Sequence, residues 1–118
     1  MINEIEKQKA ETKNLSESGL YDEIHQIFLH RFIERYSDIH GEITEAMNSG
    51  DIILAHRLVH NLKSNAGQLR KTSLHEAAAS VEENLKNGEN RVTGLQMEKL
   101  EYELAKAISE LTAIDILN

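Results

Sequence analysis

The sequence contains no proline, no cysteine and no tryptophan, and its 118 residues include only three Tyr and two Phe. The absence of proline allows long uninterrupted helices and disfavours a turn-rich β fold. The absence of cysteine excludes disulfides, thiolate chemistry and cysteine-based zinc sites, and it fits a reducing compartment. The longest apolar run, Ile52 to Ala55, is far too short to span a membrane, and no signal-peptide pattern follows Met1. We therefore expect one domain without direct membrane contact.

The charge of the chain is negative overall but unevenly distributed. A formal net charge of −7 disfavours a nucleic-acid backbone as a partner. Between Asp51 and Glu76, however, there is no acidic residue, while four basic residues and three histidines lie in that interval: Arg57, Lys63, Arg70, Lys71, His56, His60 and His75. This interval is either a basic surface for an anionic partner or a chance gap in a charged surface.

Helical periodicity runs through the chain from Leu20 onward and predicts an all-α fold. The first helical pattern extends to about Asn48, with a possible break at Ser37-Asp38, where Ser37 is a candidate cap of a second helix. Asp51 then has the position and the side chain of an N-cap for the next helix. Connections this short between amphipathic helices favour antiparallel neighbours, so the expected architecture is an up-and-down four-helix bundle.

The later helices have their own start signals. Ser73 with Glu76, and Thr93 with Gln96, form capping-box patterns that predict two further helices. Apolar residues at helical spacing predict the buried faces of these elements. The predicted faces comprise Leu29, Phe32, Ile33, Tyr36, His40, Ile43 and Met47, then Leu74, Ala77, Ala78, Val81 and Leu85, and finally Met97, Leu100, Leu104, Ala107, Ile108, Leu111 and Ile114.

The segment between residues 55 and 69 carries the most informative pattern. At about 100° per residue, one apolar stripe collects Ala55, Leu58, Val59, Leu62, Ala66 and Leu69. His60 falls almost opposite this stripe, and His56, Lys63, Ser64 and Gly67 share its side of the helix. The pattern therefore predicts an imidazole that faces solvent, with an ammonium group one turn away and small residues beside it. Such an imidazole is an accessible nucleophile, and the ammonium group is placed for an incoming anion.

Other chemistries fit this segment less well. His56 and His60 have the i, i+4 spacing of a helical metal site, but no glutamate follows His56 and no second metal-binding set is present. A metal-binding helical bundle therefore stays open only as a minor alternative. No Gly-rich phosphate loop or nucleotide fingerprint is present, so we expect no ATP site. Bland structural or surface roles are expected for the remaining histidines, His25, His30, His40 and His75.

A wider pattern resembles the histidine-containing phosphotransfer (HPt) domains of multistep phosphorelays. The matching residues are His60, Leu62, Lys63, Ser64, Ala66, Gly67 and Leu69, followed by Leu74, Ala78 and Glu82. The pattern Phe-Leu-x-x-Phe from Phe28 to Phe32 and the turn residues Ala46, Gly50 and Asp51 also resemble the approach to the family's active helix. The likeness extends from about Leu20 to Ala113.

The resemblance implies that residues 20–118 form an all-α bundle domain. The charge-rich, weakly apolar stretch before it predicts a lead-in, either a linker or a short helix, over residues 1–19. The resemblance also implies that His60 accepts a phosphoryl group from the phosphoaspartate of a receiver domain and passes it to another receiver, with Lys63 stabilising the phosphate charge. The chain would then be a stoichiometric carrier and not an enzyme. The expected partner-contacting residues on this helix are His56, Arg57, Ser64, Gly67 and Gln68.

The expected partners are response-regulator receiver domains, with a hybrid sensor histidine kinase as a further candidate. We expect no cofactor or metal bound by the chain itself, because the receiver would supply Mg²⁺. The expected location is cytoplasmic, whether the chain is free-standing or part of a membrane-bound hybrid kinase. The alternative is a non-catalytic helical module that docks on a receiver without carrying phosphate.

Two residues depart from the family pattern. Ser64 stands where the family usually has glycine, and it is still small. Arg70 stands where many members have a glycine in the turn after the active helix. We therefore expect this turn to be made differently, or the helix to extend further, to about Lys71.

Overall fold

The computed structural model describes residues 23–117, and every regular element among them is helical. We number the α-helices in chain order. Helix α1 covers residues 23–36, α2 is Ile39–Asn48, α3 is Ile52–Gln68, α4 is Thr72–Glu83 and α5 is Gly94–Leu117, with a short 3₁₀ turn at Lys86–Gly88. The lead-in expected over residues 1–19 lies outside the described residues.

The helices form the predicted bundle. Helix α2 packs on α3, α3 on α4, α4 on α5, and α5 closes against α2. Since only three residues separate α2 from α3 and α3 from α4, each helix reverses the direction of the one before it. Helices α1 and α2 form one arm of the bundle, which bends at Ser37-Asp38 as predicted.

Side chains tie α1 to the rest of the bundle. The amide of Asn65 on α3 donates to the hydroxyl of Tyr36 at 2.8 Å. A ring nitrogen of His30, Nδ1, lies 3.2 Å from the carboxylate of Asp115 near the end of α5. Helix α1 is therefore joined by side-chain contacts to both α3 and α5.

The core follows the predicted stripes closely. It comprises Leu29, Phe32, Tyr36, Ile39, Ile43, Ala46, Ala55, Leu58, Val59, Leu62, Ala66, Leu69, Leu74, Ala77, Ala78, Val81, Leu85, Leu100, Leu104, Ala107 and Leu111. The prediction was wrong for Ile114, which is 41% exposed. Helical phase assigns a residue to a face, but it does not say how far along a helix the packing partners continue.

Two of the predicted helix starts are confirmed. The backbone N–H of Leu54 donates to the Asp51 carboxylate at 3.1 Å, so Asp51 caps α3. Thr93 and Gln96 form a reciprocal capping box: the N–H of Thr93 donates to the Gln96 side chain at 2.8 Å, and the N–H of Gln96 donates to the Thr93 hydroxyl at 3.2 Å.

Two other cap predictions were wrong. Ser37 does not cap α2, because its hydroxyl donates backwards to the carbonyl of Ile33 at 2.5 Å and Asp38 occupies the cap position. The N-cap of helix α4 is Lys71, two residues before the expected cap Ser73, so the capping box of Ser73 with Glu76 does not form.

The turn after α3 corrects the expectation for Arg70. Helix α3 ends at Gln68 and does not extend to Lys71. Arg70 itself adopts a φ of 58°, the left-handed conformation that glycine usually supplies at this point. The N–H of Arg70 donates to the carbonyl of Gly67 at 3.0 Å, and the N–H of Lys71 donates to that of Ala66 at 2.9 Å. These two bonds define a Schellman motif, so the turn keeps its usual form with an arginine in the strained position.

In the part of the chain that the structure describes, no helix combines the length and the apolar character needed to cross a membrane.

Candidate functional site

Helix α3 presents His60 to solvent. Three apolar residues around it in sequence, Leu58, Val59 and Leu62, are buried in the core and fix the rotation of the helix. His60 lies on the opposite side, where 53% of its side chain is exposed. The predicted orientation of this imidazole is therefore confirmed.

The imidazole ring of His60 makes a hydrogen bond to Glu82 through one of its two nitrogens, Nδ1. The Nδ1 atom lies 2.6 Å from Oε2 of Glu82 on the neighbouring helix α4. A carboxylate can only accept hydrogen bonds, so the ring donates from Nδ1. In the neutral imidazole, Nε2 then has no hydrogen and carries the lone pair. Glu82 thus selects the tautomer in which Nε2 is the nucleophilic atom.

Lys63 reaches the same carboxylate. Its Nζ donates to Oε1 of Glu82 at 2.5 Å, and its side chain is 25% exposed. An ammonium group has three hydrogens, so this bond leaves two donors for a phosphate. Lys63 and His60 are therefore brought together as predicted, but they are joined through a glutamate that faces both.

Glu82 is ionised at neutral pH. Its side chain is only 11% exposed, and burial alone raises the pKa of the carboxyl. The hydrogen bonds from Lys63 and His60, together with the positive charge of Lys63, outweigh this effect and leave the pKa of Glu82 below its usual value. A fixed negative charge therefore lies behind the imidazole, on the side away from solvent.

Of the expected partner-contacting residues, Arg57, Ser64, Gly67 and Gln68 are exposed, and His56 is intermediate. Gln68 shares a depression of about 160 Å³ with residues of α1, namely Ile24, His25 and Phe28. Two apolar side chains of α1, Ile24 and Ile27, are more than half exposed. The exposed side of α3 is therefore continuous with an apolar part of α1.

The structure gives Gly67 an internal role. A Cβ atom at this position would lie 3.1 Å from Nδ1 of His75. That Nδ1 atom donates to the backbone carbonyl of Lys63 at 2.9 Å, so the His75 ring occupies the space beside Gly67. The small residue is needed at least in part for this packing between α3 and α4.

The sequence analysis did not predict a role at this site for Glu82 or for His75. Glu82 was noted only as part of the family pattern, without a role. A signal was available, because Glu82 continues the apolar series of Leu74 and Ala78 at four-residue spacing and so belongs to the buried face of α4. A carboxylate on such a face requires cationic partners, and the basic α3 helix supplies them.

The described residues contain no group of three or more His, Cys, Asp or Glu side chains arranged to hold a metal ion. His56 and His60 have nearly parallel rings, whose centroids are 6.4 Å apart. Both rings lie near Oε2 of Glu82, and Oε1 of the same carboxylate accepts a hydrogen bond from Lys63.

Comparison with protein families finds a match. The family model described as Hpt domain matches residues 27–113, which include His60, Lys63 and Glu82. No curated protein sequence and no solved structure is detectably similar to the chain.

Proposed function

The chain belongs to the Hpt domain family, whose members act as phosphocarrier modules with receiver domains, and from this membership we propose that His60 accepts and passes on the phosphoryl group. The observation that carries the proposal is the bond from Nδ1 of His60 to Glu82, which leaves Nε2 nucleophilic on an exposed imidazole. Glu82 orients that imidazole, a role that the sequence patterns did not assign to it.

The transfer step follows from this arrangement. The Nε2 lone pair attacks the phosphorus of the receiver's aspartyl phosphate, the N–P bond forms, and the aspartyl O–P bond breaks as the carboxylate leaves with the electron pair. The imidazole becomes a cation that keeps its proton on Nδ1, where the negative charge of Glu82 stabilises it. Transfer to the next receiver reverses these changes.

Lys63 has two tasks in this proposal. One hydrogen of its ammonium group fixes Oε1 of Glu82, and the remaining two donate to the phosphoryl oxygens when the receiver docks. A Mg²⁺ ion held by the receiver would supply further neutralisation of the phosphate charge. The chain itself acts as a stoichiometric carrier.

We assign receiver docking to the exposed side of α3 together with the start of α1. This surface comprises His56, Arg57, Ser64, Gly67, Gln68, Ile24 and Ile27. Its apolar residues supply surface that is buried when the receiver docks, and the positive charge of Arg57 attracts acidic residues at the rim of the partner's surface. The domain would act in the cytoplasm, alone or as part of a hybrid kinase, and without nucleic acid as a partner.

The test is incubation with a receiver phosphorylated on its aspartate. We expect an acid-labile, base-stable label on the chain, located at residue 60 by mass spectrometry. His60→Gln should abolish it, and His30→Gln, which alters an exposed histidine outside the site, should retain it. A label that persists in His60→Gln would disprove the assignment. Receiver binding without any label would favour the non-catalytic docking module.

A further inference from the structure

Glu82 has a third neighbour that the proposed transfer does not use. The Nε2 atom of His56 lies 3.8 Å from Oε2 of Glu82, the same oxygen that binds His60. This separation is too long for a hydrogen bond but short enough for an ion pair once the ring carries a proton. His56 is therefore placed next to the atom that orients the proposed nucleophile.

From this contact we propose that His56 is a positioning residue whose protonation weakens the bond between Glu82 and His60 and so slows phosphoryl acceptance. The inference rests on the proposed function, because it concerns the rate of that same transfer. It assigns to His56 a role inside the protein in addition to its place on the docking surface.

The ring of His56 borders open space. A cleft of about 340 Å³ lies beside it, lined by Ile53, Leu85, Lys86, Asn87 and Gly88. A movement of about 1 Å would bring Nε2 within the range of a charge-assisted hydrogen bond to Oε2. Since Glu82 is held at its other oxygen by Lys63, the carboxylate stays in place while the histidine approaches.

The charged groups around His56 favour this partner. On its own helix it faces His60, and on α4 it faces Glu82. Lys86 lines the same cleft, but its ammonium is paired with Glu83 at 2.8 Å. Arg57, adjacent in sequence, is exposed. Glu82 is therefore the carboxylate with which a protonated His56 forms an ion pair.

The chemical consequence has two parts. A hydrogen bond donated by protonated His56 to Oε2 of Glu82 reduces the negative potential at Nδ1 of His60. The His60 tautomer with its hydrogen on Nε2 therefore becomes more populated. That tautomer has no lone pair on Nε2. In addition, an imidazolium ring at 6.4 Å opposes the positive charge that His60 acquires during attack. Both effects slow acceptance as the pH falls.

The pH dependence of transfer distinguishes this role from simple packing. If only His60 titrates, the logarithm of the rate falls by about one per pH unit on the acid side. With His56 acting on Glu82, the wild-type rate should fall more steeply than this. His56→Gln should restore the one-proton slope, and His56→Lys, which carries a permanent charge, should show that slope with a lower rate than His56→Gln on the plateau where the His60 ring is unprotonated.

Two donors separate this effect from docking. The profile should be measured with a phosphorylated receiver and with phosphoramidate, a small donor that needs no docking surface. The steeper wild-type slope should appear with both. Superimposable profiles for wild type and His56→Gln would overturn the proposal, as would a difference seen only with the receiver.

A spectroscopic readout keeps this inference separate from the proposed function. Nitrogen NMR of the imidazole rings reports the tautomer of His60 without any transfer. Under conditions in which its ring is neutral, His60 should carry its proton on Nδ1 in His56→Gln and show more of the Nε2–H form in His56→Lys. If the His60 tautomer differs in this way between the two variants but the chain is never phosphorylated, only the carrier function is disproved. If the chain is phosphorylated but both variants show the same His60 tautomer, only the role of His56 is disproved.

Discussion

Gly50 and Arg70 occupy the same position in two Schellman motifs, each one residue beyond the C-cap of a helix. Gly50, after α2, has a φ of 83°, and Arg70, after α3, has a φ of 58°. In both turns the next N–H donates to a carbonyl five residues back, Asp51 to Ala46 and Lys71 to Ala66. The two turns are therefore equivalent in geometry but differ in the backbone strain that their residues carry.

This equivalence predicts opposite effects of substitution on stability. Replacing Arg70 by glycine should raise the free energy of unfolding by about 0.5–1 kcal/mol, because glycine has no Cβ to oppose the left-handed conformation. Replacing Gly50 by alanine should lower it by about 1 kcal/mol. Urea denaturation followed by circular dichroism measures both changes.

The arginine side chain could contribute through its charge, so Arg70→Ala provides the control. It removes the guanidinium but keeps the Cβ atom, and the difference between the glycine and alanine variants isolates the backbone term. If Arg70→Gly is no more stable than Arg70→Ala, the left-handed conformation of residue 70 is not strained and the prediction fails.

A second prediction concerns the contact between Gly67 and His75. An alanine is favoured over glycine in a helix by up to about 1 kcal/mol, but a Cβ atom at residue 67 would meet the His75 ring at 3.1 Å. Gly67→Ala should therefore stabilise the protein more in a His75→Ala background than in the wild type, with a coupling of about 1 kcal/mol. A double-mutant cycle by urea denaturation measures this, and equal effects in both backgrounds would show that the ring moves aside freely.

The orientation of α3 could be predicted from sequence because it depends on local periodicity. Every apolar residue of the 55–69 stripe is buried, and His60 faces solvent opposite to it. The caps at Asp51 and at Thr93 were also predictable, since a cap involves only residues a few positions apart. These features require no knowledge of how one helix sits against another.

The remaining features depend on contacts between helices or on competition between neighbouring turns. Glu82 meets His60 across 22 positions of sequence, and that contact depends on the rotation and register of α4 against α3. The conformation of Arg70 depends on the short connection between the same two helices, which the glycine preference of such turns did not reveal. Sequence therefore predicted which face carries His60 but not the carboxylate that binds its ring.

The ion pair between α1 and α5 predicts a pH-dependent term in stability. The hydrogen bond with Asp115 is the main reason that the pKa of His30 is raised above its usual 6.5, with Glu34 contributing further. A raised pKa in the folded state means that this contribution is complete below about pH 6.5 and is lost as the pH rises through the folded value. The stability lost in His30→Gln should therefore be larger at about pH 5.5 than at about pH 8.5.

Urea denaturation of wild type and His30→Gln at the two pH values measures this difference. Asp115→Asn, which removes the first partner, should reduce the same pH-dependent term, and adding His30→Gln to it should remove only the remaining part that Glu34 contributes. A difference between wild type and His30→Gln that does not change with pH would contradict the role assigned to the pair.

The last prediction concerns Glu82 in phosphoryl transfer. Glu82→Gln keeps an oxygen that can accept from Nδ1 of His60 but removes the charge that stabilises the imidazole cation, so the rate of acceptance at saturating receiver should fall by about tenfold or more. Because this side chain is only 11% exposed, the affinity for the receiver should change little. Rapid-quench kinetics over a range of receiver concentrations separates the two quantities. Glu76→Gln, an exposed substitution on the same helix, provides a matched loss of charge and should leave both unchanged. A Glu82→Gln variant with weaker receiver binding but an unaltered maximal rate would instead make Glu82 part of the docking surface, and the orientation of His60 would then need another source.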